Sequence, residues 1–171
     1  MHISVIFLPL LSFFILGVMG PWLGKKISHI LSCTFMALSF GAALGVFYDV
    51  VFLKNIIHHS LFPFIECGSF SLSWGFYIDT LSALMMVVIS CVSFLVHVYS
   101  VGYMHHDQRS FKFMAYLGLF TFMMLALVTG DTLLQVFFGW EGVGLASYLL
   151  IGYWYDRPSA CVASMKAFIV N

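Results

Sequence analysis

The chain has 171 residues and no formal net charge; 62% of its residues are hydrophobic and only 8% are charged. Soluble domains carry roughly 25% charged residues, so this chain has too few to cover a water-facing surface, and a soluble globular fold is excluded. The neutral balance provides no basic surface for nucleic acid, and the cysteines lack the C-x-x-C or Cys/His spacing of a metal site.

Long apolar segments follow one another along the chain. A helix needs about 20 mostly apolar residues to cross the hydrocarbon core of a bilayer. Residues 1–171 are therefore predicted to form a single transmembrane helical domain, an all-α polytopic membrane protein with five full transmembrane helices and a sixth that begins after Pro158. The five predicted spans run approximately from Ile3 to Leu23, Ile27 to Leu53, Asp79 to Met104, Phe111 to Thr129 and Thr132 to Tyr153.

A different pattern separates the second span from the third. Between Lys54 and Tyr77, large apolar residues alternate with small or polar ones, and this period of two indicates a strand. Cys67-Gly68 is a candidate hairpin turn. Because an open sheet edge cannot face lipid, we predict a short β-hairpin outside the membrane. The alternating apolar residues are Phe70, Leu72, Trp74 and Phe76.

Basic residues favour one side of the membrane. They follow the first, third and fifth spans, whose connecting loops open on the same side, whereas the other side has only Lys54. Positive charge is retained on the cytoplasmic or matrix side, so the N-terminus is predicted to lie on the opposite face. The basic residues on the predicted inner side are Lys25, Lys26, Arg109, Lys112 and Arg157.

Two ionisable residues, Glu141 and Lys166, fall inside apolar helices. At 1.5 Å per residue, Glu141 lies roughly 14 Å from the start of the fifth span and Lys166 roughly 12 Å after Pro158, both near the middle of a core about 30 Å thick. Antiparallel neighbours would bring them to a similar height. Charges at this depth cost at least ~2.5–3.5 kcal/mol and are usually paired or functional, so both are candidates for proton transfer or charge relay.

Each of these residues also has a structural interpretation. Glu141 would then be a protonated acid that bonds a backbone carbonyl, and Lys166 would extend toward the basic side. The small residues around Glu141 do not fit a phosphate-binding pattern, and they favour close helix contact that would keep lipid from the carboxylate. These small residues are Gly139, Gly142 and Gly144.

Three further residues are secondary candidates. His97 lies inside the third span, where a proton wire and a packed, hydrogen-bonded histidine explain it equally well. Asp79 and Asp131 each precede a threonine at the start of a span, which is where a helix N-cap belongs, so the structural interpretation is favoured for both.

The sequence around Glu141 also resembles a known membrane family. Residues 138–152, FGWEGVGLASYLLIG, are similar to the fifth membrane helix of NADH–ubiquinone oxidoreductase chain 5, the distal antiporter-like subunit of respiratory complex I. Residues 77–86 resemble its third helix, residues 98–107 the following loop, and residues 165–168 its sixth helix. The resemblance extends from about Asp79 to Asn171, whereas the first two spans fit the family only loosely.

The resemblance implies a non-redox subunit of the proton-translocating NADH:ubiquinone oxidoreductase, with electron transfer elsewhere in the assembly and no catalysis by the isolated chain. It implies that Glu141 pairs with a lysine on a seventh helix; Lys166 matches a family position but not that central lysine. No bound cofactor is expected. The expected location is the mitochondrial inner membrane, with the bacterial plasma membrane as the alternative.

Family members have many more spans than this chain, so a second chain is expected to continue the subunit after Asn171, with a fragment as the alternative. The other expected partners are complex I membrane-arm subunits and membrane lipids. Two other functions stay open: a subunit of a multi-subunit sodium/proton antiporter, and a structural or assembly fragment without transport activity.

Overall fold

A computed structural model describes residues 2–67 and 70–171, with residues 65–67 and 70–72 described by their backbone alone. Four helices are long and apolar enough to cross a membrane, and one shorter apolar helix follows them in the described ranges. The predicted helical membrane fold with a small sheet is therefore confirmed. The elements are α1 (His2–Val51), β1 (Ile57–Cys67), β2 (Phe70–Ile78), α2 (Thr80–Tyr103), α3 (Ser110–Val128), α4 (Leu133–Ile151) and α5 (Pro158–Val170).

Helix α1 is interrupted at Gly24, whose backbone angles are φ 74° and ψ 166°. The Ser39 hydroxyl donates to the Val5 carbonyl over 2.7 Å, so the second half of α1 runs back along the first. Non-glycine residues are strained in this region of backbone conformation, which explains why glycine occupies the turn. The two halves are called α1a (residues 2–23) and α1b (residues 25–51).

The first four helical segments form a ring around a shared core. Helix α3 packs against α1a, α1a against α1b, α1b against α2, and α2 against α3. Every segment therefore has two neighbours. The contacts are Gly118 with the Pro9 carbonyl, Phe40 stacked on Phe94 and Ser93 bonded to Thr121. Helices α4 and α5 lie outside this ring, with α4 against α3 and α5 against α4.

The two strands form an antiparallel hairpin over the connection between α3 and α4. The Tyr77 amide donates to the Thr129 carbonyl over 3.0 Å, which attaches β2 to the end of α3. The predicted hairpin between the second and third spans is therefore confirmed. Its predicted turn at Cys67-Gly68 reaches into residues outside the described part of the chain.

The basic loops lie together at the opposite end of the bundle. Lys25 Nζ donates to the His105 carbonyl over 3.1 Å, and the Arg109 guanidinium donates to the Tyr155 hydroxyl. These two bonds connect the α1 turn, the α2–α3 loop and the α4–α5 loop. The common side predicted for the basic residues is confirmed by these contacts.

Replacing Gly24 tests the turn in α1. Gly24→Ala should lower the free energy of unfolding by about 1–3 kcal/mol, because a Cβ atom is strained in this conformation. Gly41→Ala is the matched control: Gly41 lies within helical α1b with open space around it, and alanine there should be neutral or stabilising. Denaturation midpoints of the assembly in detergent compare the two variants, and equal losses would contradict the role of Gly24.

Candidate functional site

Glu141 lies in the middle of α4, on the side turned away from α3. The buried positions of α4 include Gln135, Gly139, Gly142 and Ala146, whose spacing marks one helical face. At about 100° per residue, Glu141 is rotated roughly 200° from Gly139 and points away from that face. Glu141 is accordingly exposed. The burial predicted for it is not provided by the helices of this chain.

The glycines of α4 bring its backbone close to α3. A Cβ atom on Gly139 would lie 2.7 Å from the Cα atom of Leu127, and one on Gly142 would overlap the Met123 side chain. The close contact with α3 is therefore confirmed for Gly139 and Gly142, whereas a Cβ atom on Gly144 would overlap the Asn171 side chain just after α5. The contact with α3 lies away from the carboxylate, so it does not separate Glu141 from lipid.

The residues one turn before and one turn after Glu141 on its outer face are large and apolar. Phe137, one turn before the carboxylate, is 61% exposed, and Leu145, one turn after it, is 44% exposed. Both residues thus remain open on this side of α4 within the described part of the chain. The carboxylate therefore lies within an apolar stripe of a membrane-spanning helix, where a polar or charged partner is needed to stabilise its ionised form.

Lys166 is exposed on α5 and lies well away from Glu141. Helix α5 runs antiparallel to α4 in a register that places Lys166 level with residue 150, about nine residues or roughly 13 Å along the helix from Glu141. The expectation of a similar height is therefore wrong, because the α4–α5 connection continues beyond the end of α4 before turning back. Two contacts between α4 and α5 set this register. Gly152 lies beside Ser164, and the ring centroids of Tyr148 and Phe168 are 5.6 Å apart.

His97 is completely buried between the ring helices. Its Nδ1 donates to the Ser93 carbonyl over 2.7 Å, and the Ser93 and Thr121 hydroxyl oxygens lie 2.5 Å apart. Its Nε2 has no hydrogen-bond partner among the described residues. The packed, hydrogen-bonded interpretation of His97 thus accounts for one ring nitrogen and leaves the other unexplained.

The two aspartates have different structural roles. Asp79 Oδ1 accepts from the Ser82 amide over 2.7 Å, so the N-cap predicted for α2 is confirmed. The N-cap of α4 is Thr132 instead of Asp131, which corrects the second prediction by one residue. The Asp131 carboxylate lies 2.9 Å from His58 Nε2 of β1 and connects the hairpin to the start of α4.

A polar cluster at the basic end was not predicted from the sequence. The Tyr153 hydroxyl donates to the Asp107 carboxylate over 3.1 Å. Burial raises the pKa of Tyr153, and the bond to Asp107 raises it further. The hydrogen bond to Tyr155 raises the pKa of Arg109. These groups line a cavity of about 570 Å³. Aromatic and charged residues at span ends are the sequence signal that indicates such an interfacial cluster.

Replacing Gly139 tests the close contact between α3 and α4. Gly139→Ala should destabilise by about 1–3 kcal/mol, because its Cβ atom meets the backbone of Leu127, which cannot move alone. Gly142→Ala should lose less, since the flexible Met123 side chain can rotate away. Thermal unfolding midpoints in detergent measure the difference. The packing account fails if Gly142→Ala is the more damaging change.

Replacing Asp79 tests its role as the N-cap of α2. Asp79→Ala should lose about 0.5–2 kcal/mol of stability, because the Ser82 amide loses its acceptor. Asp79→Asn keeps a capping oxygen and removes the charge, so it should retain the stability of the unmodified chain. A loss in Asp79→Asn as large as the loss in Asp79→Ala would contradict capping as the source of the effect.

Comparison with known proteins identifies relatives along the whole chain. Residues 64–114 match the family model described as NADH-Ubiquinone oxidoreductase (complex I), chain 5 N-terminus, and residues 130–171 match NADH:quinone oxidoreductase/Mrp antiporter, TM. NADH-quinone oxidoreductase subunit L of Rickettsia conorii is 47% identical over 169 residues, covering 99% of this chain and 26% of the relative. NADH-ubiquinone oxidoreductase chain 5 of Arabidopsis thaliana is 45% identical over 171 residues, covering 100% of this chain and 26% of the relative.

A solved structure shares the fold. It is the membrane-bound sulfane sulfur reductase, an archaeal respiratory membrane complex, in which one chain matches with a TM-score of 0.81 and 22% identity, covering 99% of this chain and 34% of that one. At this identity the likeness concerns the fold alone.

The spanning helices and the bacterial and eukaryotic relatives support a multi-pass protein of the mitochondrial inner membrane, with the bacterial plasma membrane as the alternative. The chain spans 26% of the length of these relatives. The two family models together match more than half of the chain, and the relatives match nearly all of it. The chain therefore belongs to the family of NADH-ubiquinone oxidoreductase chain 5 and NADH-quinone oxidoreductase subunit L.

Proposed function

We propose that this chain is a membrane-arm subunit of a proton-translocating NADH:quinone oxidoreductase and that Glu141 is a proton-transfer group within it. The observation that carries the proposal is a carboxylate in the middle of an exposed apolar stripe of α4. Exposure of its charge to acyl chains would cost at least ~2.5–3.5 kcal/mol. In the assembly, this stripe is therefore covered by protein that offers the carboxylate a partner or water.

Helix α1 crosses the membrane twice in this proposal. Residues 2–23 and 25–51 are roughly 33 and 40 Å long at 1.5 Å per residue, and each is sufficient for a core of about 30 Å. With α2, α3 and α4 they make five full spans. Helix α5 has 13 residues, which reach only roughly 20 Å, and forms the start of a sixth.

The cation that faces Glu141 comes from outside this chain. Lys166 lies roughly 13 Å away along the helix direction, too far for a direct ion pair. The relatives are about four times as long as this chain, so further helices of the subunit are available to cover the stripe and to supply a lysine. Those helices belong to the same subunit, on a continuing or a second polypeptide, beside other membrane-arm subunits and lipids.

Glu141 alternates between two states in this mechanism. A nearby cation favours the ionised carboxylate, and withdrawal of that cation leaves a poorly solvating environment that favours the protonated acid. Movement of the cation thus drives proton uptake and release at one oxygen. Lys166 acts as a relay toward the basic side, through water instead of direct contact. The chain binds no redox cofactor, and electron transfer from NADH to quinone takes place in other subunits.

Glu141→Gln tests this role because glutamine keeps the size of the side chain and removes the transferable proton. The variant should assemble normally and oxidise NADH, while fewer protons cross sealed membrane vesicles for each electron transferred. Glu66→Gln in β1 is the matched control and should keep the normal proton-to-electron ratio. A normal ratio in Glu141→Gln would refute the proton-transfer role.

A second candidate function is a subunit of a sodium/proton antiporter, which is favoured by the family model shared between the oxidoreductase and Mrp antiporter proteins. Deleting the chain decides between them. Loss of NADH:quinone oxidation by isolated membranes supports the oxidoreductase, whereas loss of sodium-dependent proton exchange with normal NADH oxidation supports the antiporter. Normal behaviour of Glu141→Gln in both assays would favour a structural or assembly role.

A further inference from the structure

Three buried polar atoms inside the helical ring have no hydrogen-bond partner among the described residues. They are the hydroxyl oxygens of Ser12 and Ser32 and the Nε2 atom of His97. All three residues are 0% exposed. Buried polar atoms in proteins are nearly always hydrogen-bonded to protein or to ordered water, so three such atoms in one small bundle require an explanation.

The register between helices places these three residues at one height. The Ser39–Val5 bond sets α1b antiparallel to α1a. Ser12 comes seven residues after Val5 and Ser32 comes seven residues before Ser39, so Ser12 and Ser32 lie at the same height. A Cβ atom on Gly118 of α3 would lie 3.8 Å from the Ser12 Cβ atom, which makes these two residues level.

The contact between α2 and α3 adds His97 to the same layer. Ser93 of α2 is bonded to Thr121 of α3, and the two helices are antiparallel. His97 comes four residues after Ser93 and therefore lies level with residue 117, which is next to Gly118. Ser12, Ser32 and His97 therefore lie within about one helical turn of one another, or ~5 Å in height. They come from three of the four segments that form the ring.

Apolar clusters close this layer on both sides. Each cluster draws on the same four helical segments, and the polar layer lies between them. Bulk water therefore has no direct route into the layer from either end. Toward the hairpin the cluster includes Val5, Ala43, Met86 and Leu125, and toward the basic end it includes Leu16, Leu31, Val101 and Met114.

The unpartnered serines differ from six other hydroxyls of the helices. A helical serine or threonine can donate to the carbonyl four residues before it. Ser12 and Ser32 do not make this bond, whereas six other hydroxyls do. Those six belong to Ser28, Thr34, Ser90, Ser100, Thr121 and Thr129.

The third atom is an acceptor that complements these two donors. Because the Ser93 carbonyl can only accept, His97 Nδ1 carries the proton of the neutral ring, and Nε2 presents a lone pair. Two hydroxyls and one lone pair match the two to four polar partners that an internal water needs.

We propose that ordered water is bound inside the ring, between the hydroxyls of Ser12 and Ser32 and Nε2 of His97. The water donates to His97 and exchanges hydrogen bonds with the serines, which explains why both forgo the local carbonyl. This site lies on the α1 side of α3, whereas Glu141 lies on the far side of α4. It is therefore independent of the proton-transfer role proposed for Glu141.

A map of the complete assembly in lipid, at a resolution that shows ordered water, tests the proposal. The expected result is water density at hydrogen-bond distance from His97 Nε2 and from at least one of the two hydroxyls. Side chains in direct contact with no density between them, or both serines bonded to the carbonyls of Leu8 and Ser28, would overturn it. The map of the unmodified protein decides the question even if a variant does not assemble.

Matched variants identify which side chains hold the water. Ser12→Ala and Ser32→Ala should each weaken or remove the density and change the ¹⁵N chemical shift of His97 Nε2 in labelled assembly. Ser39→Ala is the control, because its hydroxyl is already bonded to the Val5 carbonyl, and it should leave both readouts unchanged. Unchanged density and an unchanged shift in both test variants would overturn the assignment of the serines as ligands.

Discussion

The need of every buried polar group for a partner governs this structure, because lipid offers none. Backbone amides and carbonyls in the spans are paired by forming helices, and six hydroxyls are paired by donating to the carbonyl one turn back. The only sheet in the described residues lies at one end of the bundle, where its edges can meet water. The groups left without a partner are therefore the most informative ones in the chain.

Helix α3 divides the molecule into two environments. On one side, Gly118 lets α1a approach and closes the four-membered ring that contains the polar layer. On the other side, Gly139 of α4 rests on the α3 backbone and turns the rest of α4 outward. The same close packing that stabilises the bundle thus leaves Glu141 exposed on the outer surface of α4.

The acidic residues differ in their position along the spans and in their partners. Asp79 caps α2, Asp131 holds the hairpin through His58, and Asp107 accepts from Tyr153. Each of these carboxylates lies at the end of a span and has a structural partner. Glu141 lies in the middle of a span and receives no ion pair from the described residues of this chain. Because it lies in the middle of a span without a structural partner among the described residues, Glu141 is the strongest candidate for proton transfer.

The sequence by itself determined the spans, the hairpin, the common side of the basic loops and the cap at Asp79, because apolar length, period and capping are local properties. Tertiary structure alone decided the separation of Lys166 from Glu141, which depends on how far the α4–α5 connection extends before it turns. It also decided the pairing of Asp131 with His58 and the layer around His97. Both depend on the register between helices distant in sequence, and no local pattern encodes that register.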